Sequence, residues 1–206
     1  MTTDPTAGSR DAAGGGRNAG IVLAAATVAM GLIAGLYFGW GVAVMPGLGE
    51  LDDRAFVDAA QQLDDAIRNP LFFATFAAAL VLPGVALYLQ RQSGLRQATP
   101  WIVAALVLYG IGFLTTMAIN EPLNQDLVDA GDPSRIADVA GVRDDFEDPW
   151  VAWHIVRTVL TTAALGALAY ALILHGRAER ALAQGKAGAG EPAARRAGTA
   201  ADAPAR

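Results

Sequence analysis

The sequence predicts an all-α protein. It is a four-transmembrane-helix bundle with a short amphipathic helix in the first outer loop. Three observations predict it. Hydrophobic residues fill 53% of the 206 positions and charged residues only 17%, where a soluble domain carries about 25%. Four stretches hold no charge: Arg17 to Glu50, Arg68 to Arg91, Arg96 to Glu121, and Arg157 to Arg177. Each is close to the ~20 residues a helix needs to cross ~30 Å of hydrocarbon. Finally, these runs lack the alternating polar face of a soluble-core helix.

Residues 1–18 are rich in Gly, Ala, Thr and Asp. They offer too little apolar surface to order themselves and are expected to be a disordered tail. The first span is expected over 19–46. It follows Arg10 and Arg17 as a signal peptide would, but exceeds the ~7–15 apolar residues of a signal core. Pro46-Gly47 is expected to end it. The second span covers 70–90, with Asn69 as N-cap and Pro70 in the first turn. Pro83-Gly84 inside it is tolerated where neighbouring helices satisfy the freed carbonyl. The third span covers 99–120 and the fourth 149–175. Residues 176–206 repeat the composition of a disordered tail.

The connections set the orientation. Arg91 and Arg96 lie between spans two and three, and both tails carry arginines. Positive residues near helix ends stay cytoplasmic. A bacterial plasma membrane with both termini inside is therefore expected, bacterial because Arg, Ala and Gly dominate as in GC-rich coding. The other two connections are acidic and belong outside. In the first, Phe56, Ala59, Ala60, Leu63 and Ile67 recur at helical spacing, which predicts an amphipathic helix on the bundle or on the lipid surface. In the second, Leu123, Leu127, Ile136, Val139 and Val142 suggest short helices.

Several chemistries are excluded. Cysteine is absent, which removes disulfides, thiolate metal sites and thiol redox chemistry. His154 and His175 stand ~32 Å apart on one helix at 1.5 Å per residue, so no metal site is expected. No acid, lysine or histidine sits at mid-membrane depth, against a proton-coupled carrier. No cofactor is expected. The expected partners are the lipid bilayer and a small apolar or aromatic ligand, and no nucleic acid; oligomeric state is open.

Two patterns remain. Thr27, Gly31, Gly35, Gly39 and Ala43 repeat every four residues and form a smooth face. It is read as intramolecular packing, with dimerisation or a ligand groove as the alternatives. At the other extreme, Trp150, Trp153, His154, Arg157 and Thr161 share one face of the fourth span. Trp150 reads first as an interfacial anchor. Arg157 lies two turns in, where an arginine normally faces the interior and has a partner; asparagine carbonyls are the expected acceptors, with Asp64 or Glu121 in their place if the first outer helix folds over the mouth. The topology brings Trp40, Met45, Asn69, Asn120, Asn124, Trp153, His154 and Arg157 to one mouth.

These residues carry a resemblance. Val44-Met45-Pro46-Gly47-Leu48, Gln61, Ile67, Asn69-Pro70, Asn120-x-Pro122-Leu123-Asn124 and Trp150-x-x-Trp153-His154-x-x-Arg157 resemble the DUF1772, or anthrone oxygenase-like, family of small four-helix membrane proteins. Asp64 stands where similar sequences often carry Asn. The resemblance covers roughly 20–175 and implies two functions. One is a polar pocket that binds a lipid or small apolar ligand without chemistry. The other is a cofactor-independent monooxygenase of an enolisable aromatic such as an anthrone. There His154 would be the base. Arg157 with Asn120 or Asn124 would hold the enolate oxygen. Trp40, Met45, Asn69 and Trp153 would contact substrate.

Overall fold

The computed structural model describes the backbone from Pro5 to Ala201 and side chains from Gly15 to Gly185. Its elements are α1 (Pro5–Gly39), α2 (Met45–Gly49), α3 (Asp53–Ile67), α4 (Pro70–Gln92), α5 (Thr99–Thr115), α6 (Glu121–Asp129) and α7 (Val139–Ala201), with no strand among the described residues. Four stretches are long and apolar enough to span a membrane: Gly15–Gly49, Pro70–Gln92, Arg96–Asp129 and Val139–Gly185. They pack as a closed ring, α1 against α4 and α7, and α5 against the same two.

Two spans do not end where their prolines suggest. Trp40–Val44 and Thr116–Asn120 each form one π-helical turn, and the helix then continues through Pro46 or Pro122. A proline cannot donate to the carbonyl four residues back. One π turn re-phases the helix around that gap and leaves it unbroken. The expected stop at Pro46-Gly47 is thus corrected to Gly49. Likewise α7 begins at Val139, ahead of the expected 149, and runs through Pro149. The carbonyl that Pro149 leaves free belongs to Asp145, which is exposed to solvent. Of the expected tails, residues 1–4 and 202–206 lie outside the described residues; the remainder continue α1 and α7.

Asn69 caps α4 as expected, its side chain accepting from Phe72 N at 3.0 Å. Asp52 does the same for α3 through Ala55 N, also at 3.0 Å. The amphipathic α3 lies on the bundle end, burying Phe56, Val57 and Ala60 against Leu127, Phe146 and Trp150. Gln61 fastens it there, donating to the carbonyls of Leu127 at 2.8 Å and Gly131 at 3.0 Å. Arg143 fastens the α2–α3 turn. Its guanidinium bonds Glu147, Asp53 and the carbonyls of Gly49 and Leu51, and lies 4.5 Å over the Phe56 ring.

Among its glycines, the packing role expected for the four-residue face holds at Gly31, where a Cβ would lie 3.7 Å from Leu165 Cδ1 on α7, and fails at the two that follow. A Cβ on Gly35 or Gly39 would meet nothing within 4 Å. The closest approaches to α7 use other glycines. A Cβ on Gly20 would come within 2.5 Å of His175 Nε2, and one on Gly41 within 3.4 Å of the His154 ring. His175 is itself buried and bonded through Nδ1 to Gln90 Nε2 at 2.8 Å. Gly20→Val is therefore expected to lower stability in detergent by ~1–3 kcal/mol, the usual range for overpacking. His175→Ala in the same background should restore most of it. Gly35→Leu should melt as wild type does. Thermal melts of the four proteins test this, and an undisturbed Gly20→Val would refute the tight α1–α7 contact.

Candidate functional site

At the end of the bundle capped by α3, the spans built on α1, α5 and α7 bring polar side chains to one place, and α4 adds phenylalanines. Arg157 is the centre. It is 6% exposed, though it carries a charge. Desolvating a guanidinium costs several kcal/mol unless other groups compensate. No carboxylate lies within ion-pair distance of it among the described residues. Neutral groups compensate instead. Its Nε and Nη2 donate to His154 Nδ1 at 3.1 and 2.9 Å, and Nη1 reaches Thr116 Oγ1 at 3.4 Å. Two aromatic rings lie against it, Tyr37 at 4.6 Å and Trp150 at 4.9 Å, each a favourable cation–π contact.

His154 is oriented from both edges. Its Nε2 lies 2.9 Å from the Tyr37 carbonyl, which can only accept. Its Nδ1 faces Arg157, which can only donate. A neutral imidazole with its proton on Nε2 satisfies both. The ring stacks on Trp150, centroids 4.6 Å apart and planes 10° apart. Gly41 faces its other side, where a larger side chain would crowd it.

Trp150 organises the remainder. Asn120 Nδ2 donates to its carbonyl at 3.2 Å, and its indole N–H donates to Asn124 Oδ1 at 2.7 Å. It is 5% exposed, so the anchor role expected of it is corrected: it is an interior residue. The asparagines do converge on Arg157's surroundings. They do not accept from it; His154 and Thr116 take that role because they lie on its own face and on the adjacent π turn. Asn120 Oδ1 is buried with no partner.

A cavity of ≈ 240 Å³ adjoins this cluster, just below the ~300–1,000 Å³ of drug-sized ligand sites. Its floor includes Arg157 and His154, its walls Tyr37, Trp40, Met45, Phe72, Phe76 and Trp150, and its rim Asp64, Arg68 and Glu121. At the rim Arg68 pairs with Asp64 at 2.8 Å and Glu121 at 2.7 Å. Its hydrogen bond to Asp64, opposed by burial and reinforced by that to Glu121, holds the guanidinium protonated above the ordinary arginine range. Of the sequence-expected residues, Trp40, Met45, Asn124, His154 and Arg157 line the cavity. Asn120 lies behind it, bonded to the Trp150 backbone. Asn69 serves α4 as a cap, and Trp153 is 40% exposed on the other face of α7; neither lines the cavity. The π turns supply Trp40, Thr116 and Asn120. The signal for them in sequence is the proline following each apolar run.

These features define a class: a small helical membrane protein with one buried cation, held by neutral groups, beside an aromatic cavity. The anthrone oxygenase family model matches residues 66–167, a stretch holding Arg68, Asn120, Asn124, Trp150, His154 and Arg157. The chain belongs to the anthrone oxygenase-like family. No curated protein and no solved structure matches it.

Proposed function

We propose that this protein binds a small apolar or aromatic ligand bearing an electron-rich oxygen, with that oxygen on Arg157. The observation that carries the reading is a buried guanidinium with no carboxylate in ion-pair distance among the described residues, next to an aromatic-walled cavity. A ligand oxygen accepting from it would gain a charge-assisted bond in a place where water competes little. Anthrone and anthracene test this. They share a tricyclic frame, and only anthrone has the oxygen. Quenching of the tryptophans should report anthrone binding at least about tenfold tighter, the lower end of a charged hydrogen bond's worth. Equal affinities would refute the reading.

The family match favours a second reading, a cofactor-independent oxygenase. Its chemistry would begin when the substrate oxygen replaces His154 Nδ1 as acceptor for Arg157. Nδ1 is then free to take the acidic C–H proton, and Arg157 holds the enolate. The carbanion reduces O₂; one oxygen atom enters the product carbonyl and the other leaves as water. Oxygen uptake equal to anthrone consumed, absent under argon and in His154→Ala, is the expected result. Binding without uptake would leave a binding protein.

The membrane reading is a bacterial plasma membrane, with the lipid bilayer as partner and both termini cytoplasmic. Its support is the arginine distribution of the connections and tails. A periplasm-active reporter should be silent when fused after Arg206 and active when inserted at Gly131, a glycine at φ 81 in the α6–α7 connection. The opposite pattern would put the site on the cytoplasmic face.

A further inference from the structure

The wall of the cavity is not closed on the side of the α4–α5 seam. Phe73 on α4 and Met117 in the π turn after α5 both line it, and they are 51% and 43% exposed on the surface of membrane-spanning helices. The seam is closed above and below them. Above, Arg68 and Glu121 bridge it at 2.7 Å. Below, Phe76 and Phe113 stack across it with centroids 5.2 Å apart. One turn of each helix separates the ion pair from Phe72–Phe73 and Met117, so the gap lies just beneath the polar rim.

We infer that this gap is a lateral portal through which the ligand enters from the bilayer. The inference rests on the binding reading above and adds a route and a restriction of ligand class. The ligand is dissolved in the membrane and crosses the seam between Phe73 and Met117. It arrives beside Arg157 without passing the charged rim. Three observations favour this over entry from water. The portal residues are apolar and exposed on helices long and apolar enough to cross a membrane. The route from water is roofed by α3, which Gln61 and Arg68 tie to α6. The cavity behind them is lined by the aromatic Phe72 and Phe76 as well as by the cation. A molecule with an apolar body and one acidic or enolisable oxygen suits that lining. A strongly charged, water-borne ligand does not.

The absence of cysteine makes the test direct. Met117→Cys gives one thiol at the portal, and Leu114→Cys one on the exposed face of α5, away from the cavity (Leu114 is 65% exposed). Each protein is reconstituted in phosphatidylcholine vesicles, reacted with membrane-soluble pyrene maleimide, and loaded with anthrone. Association and release are then followed by tryptophan fluorescence. The labelled Met117→Cys protein should slow both at least tenfold, with Kd changed less than threefold. The labelled Leu114→Cys protein should match wild type. A raised Kd with unslowed release means the label only fills the pocket and overturns the portal. So does slowing produced instead by an aqueous maleimide sulfonate on Glu121→Cys, which would assign entry to the rim. A Met117→Cys protein that resists labelling without ligand would point to a second copy over the seam, and also overturns it. Failure of unmodified protein to bind anthrone is a separate result, against the binding reading itself.

Discussion

Trp150→Ala is expected to cost this protein ~3–5 kcal/mol of stability, the range for truncating a buried large aromatic. The loss has several sources. The indole fills the interface between α3, α6 and α7, in contact with Phe146 at 5.9 Å and His154 at 4.6 Å between ring centroids. Its N–H satisfies Asn124. It also lies against Arg157. Removing it leaves a cavity, an unpaired asparagine carbonyl and a guanidinium with one cation–π contact fewer. Trp150→Phe should recover the packing and fail only at Asn124, costing about 1–2 kcal/mol as a lost buried hydrogen bond does. Melting in detergent checks both. If Trp150→Ala melts within a degree of wild type, the tryptophan is an interfacial anchor after all and the centre of the site is misassigned.

Arg157→Met is expected to weaken anthrone binding by roughly 10- to 150-fold, the equivalent of one charge-assisted hydrogen bond. It should erase the preference for anthrone over anthracene. The fold should survive. Because Arg157 has no carboxylate partner among the described residues, the substitution strands no opposite charge there, and a buried apolar residue of similar length avoids the desolvation cost. What is lost is two cation–π contacts and the donor to His154. Arg157→Lys should recover only part of the affinity, since an ammonium cannot reproduce the planar fork on His154 and the ligand together. Equilibrium fluorescence titration with both tricyclics measures this. An Arg157→Met protein that keeps the anthrone preference would remove Arg157 from the site.

The membrane spans, the amphipathic α3 and the end of the bundle where the polar residues gather are readable from the order of residues alone. These follow from one-dimensional quantities. The length of a charge-free run must match a hydrocarbon slab. The period of Phe56, Ala60, Leu63 and Ile67 must match a helix face. An even number of crossings brings the two acidic connections to one end. His154 and Arg157 were also legible, because an ionisable residue inside an apolar run is costly enough to need a reason. The tertiary structure alone decided who satisfies whom. Arg157 takes its acceptors from His154 and Thr116 and not from Asn120 or Asn124, a choice set by side-chain direction and by the π turn at Thr116–Asn120. That turn shifts the phase of every residue after it, and no periodicity argument anticipates such a shift. The same reason separates Trp150 from Trp153. In sequence Trp150 reads as the anchor and Trp153 as the ligand contact, yet three residues of helix rotation and the presence of α3 bury the first and expose the second. Glycine spacing misled at Gly35 and Gly39 for a related cause. Small side chains permit close approach, but only the neighbour's position decides which are used, and here α7 brings His154 and His175 against Gly41 and Gly20 while Gly35 faces open space.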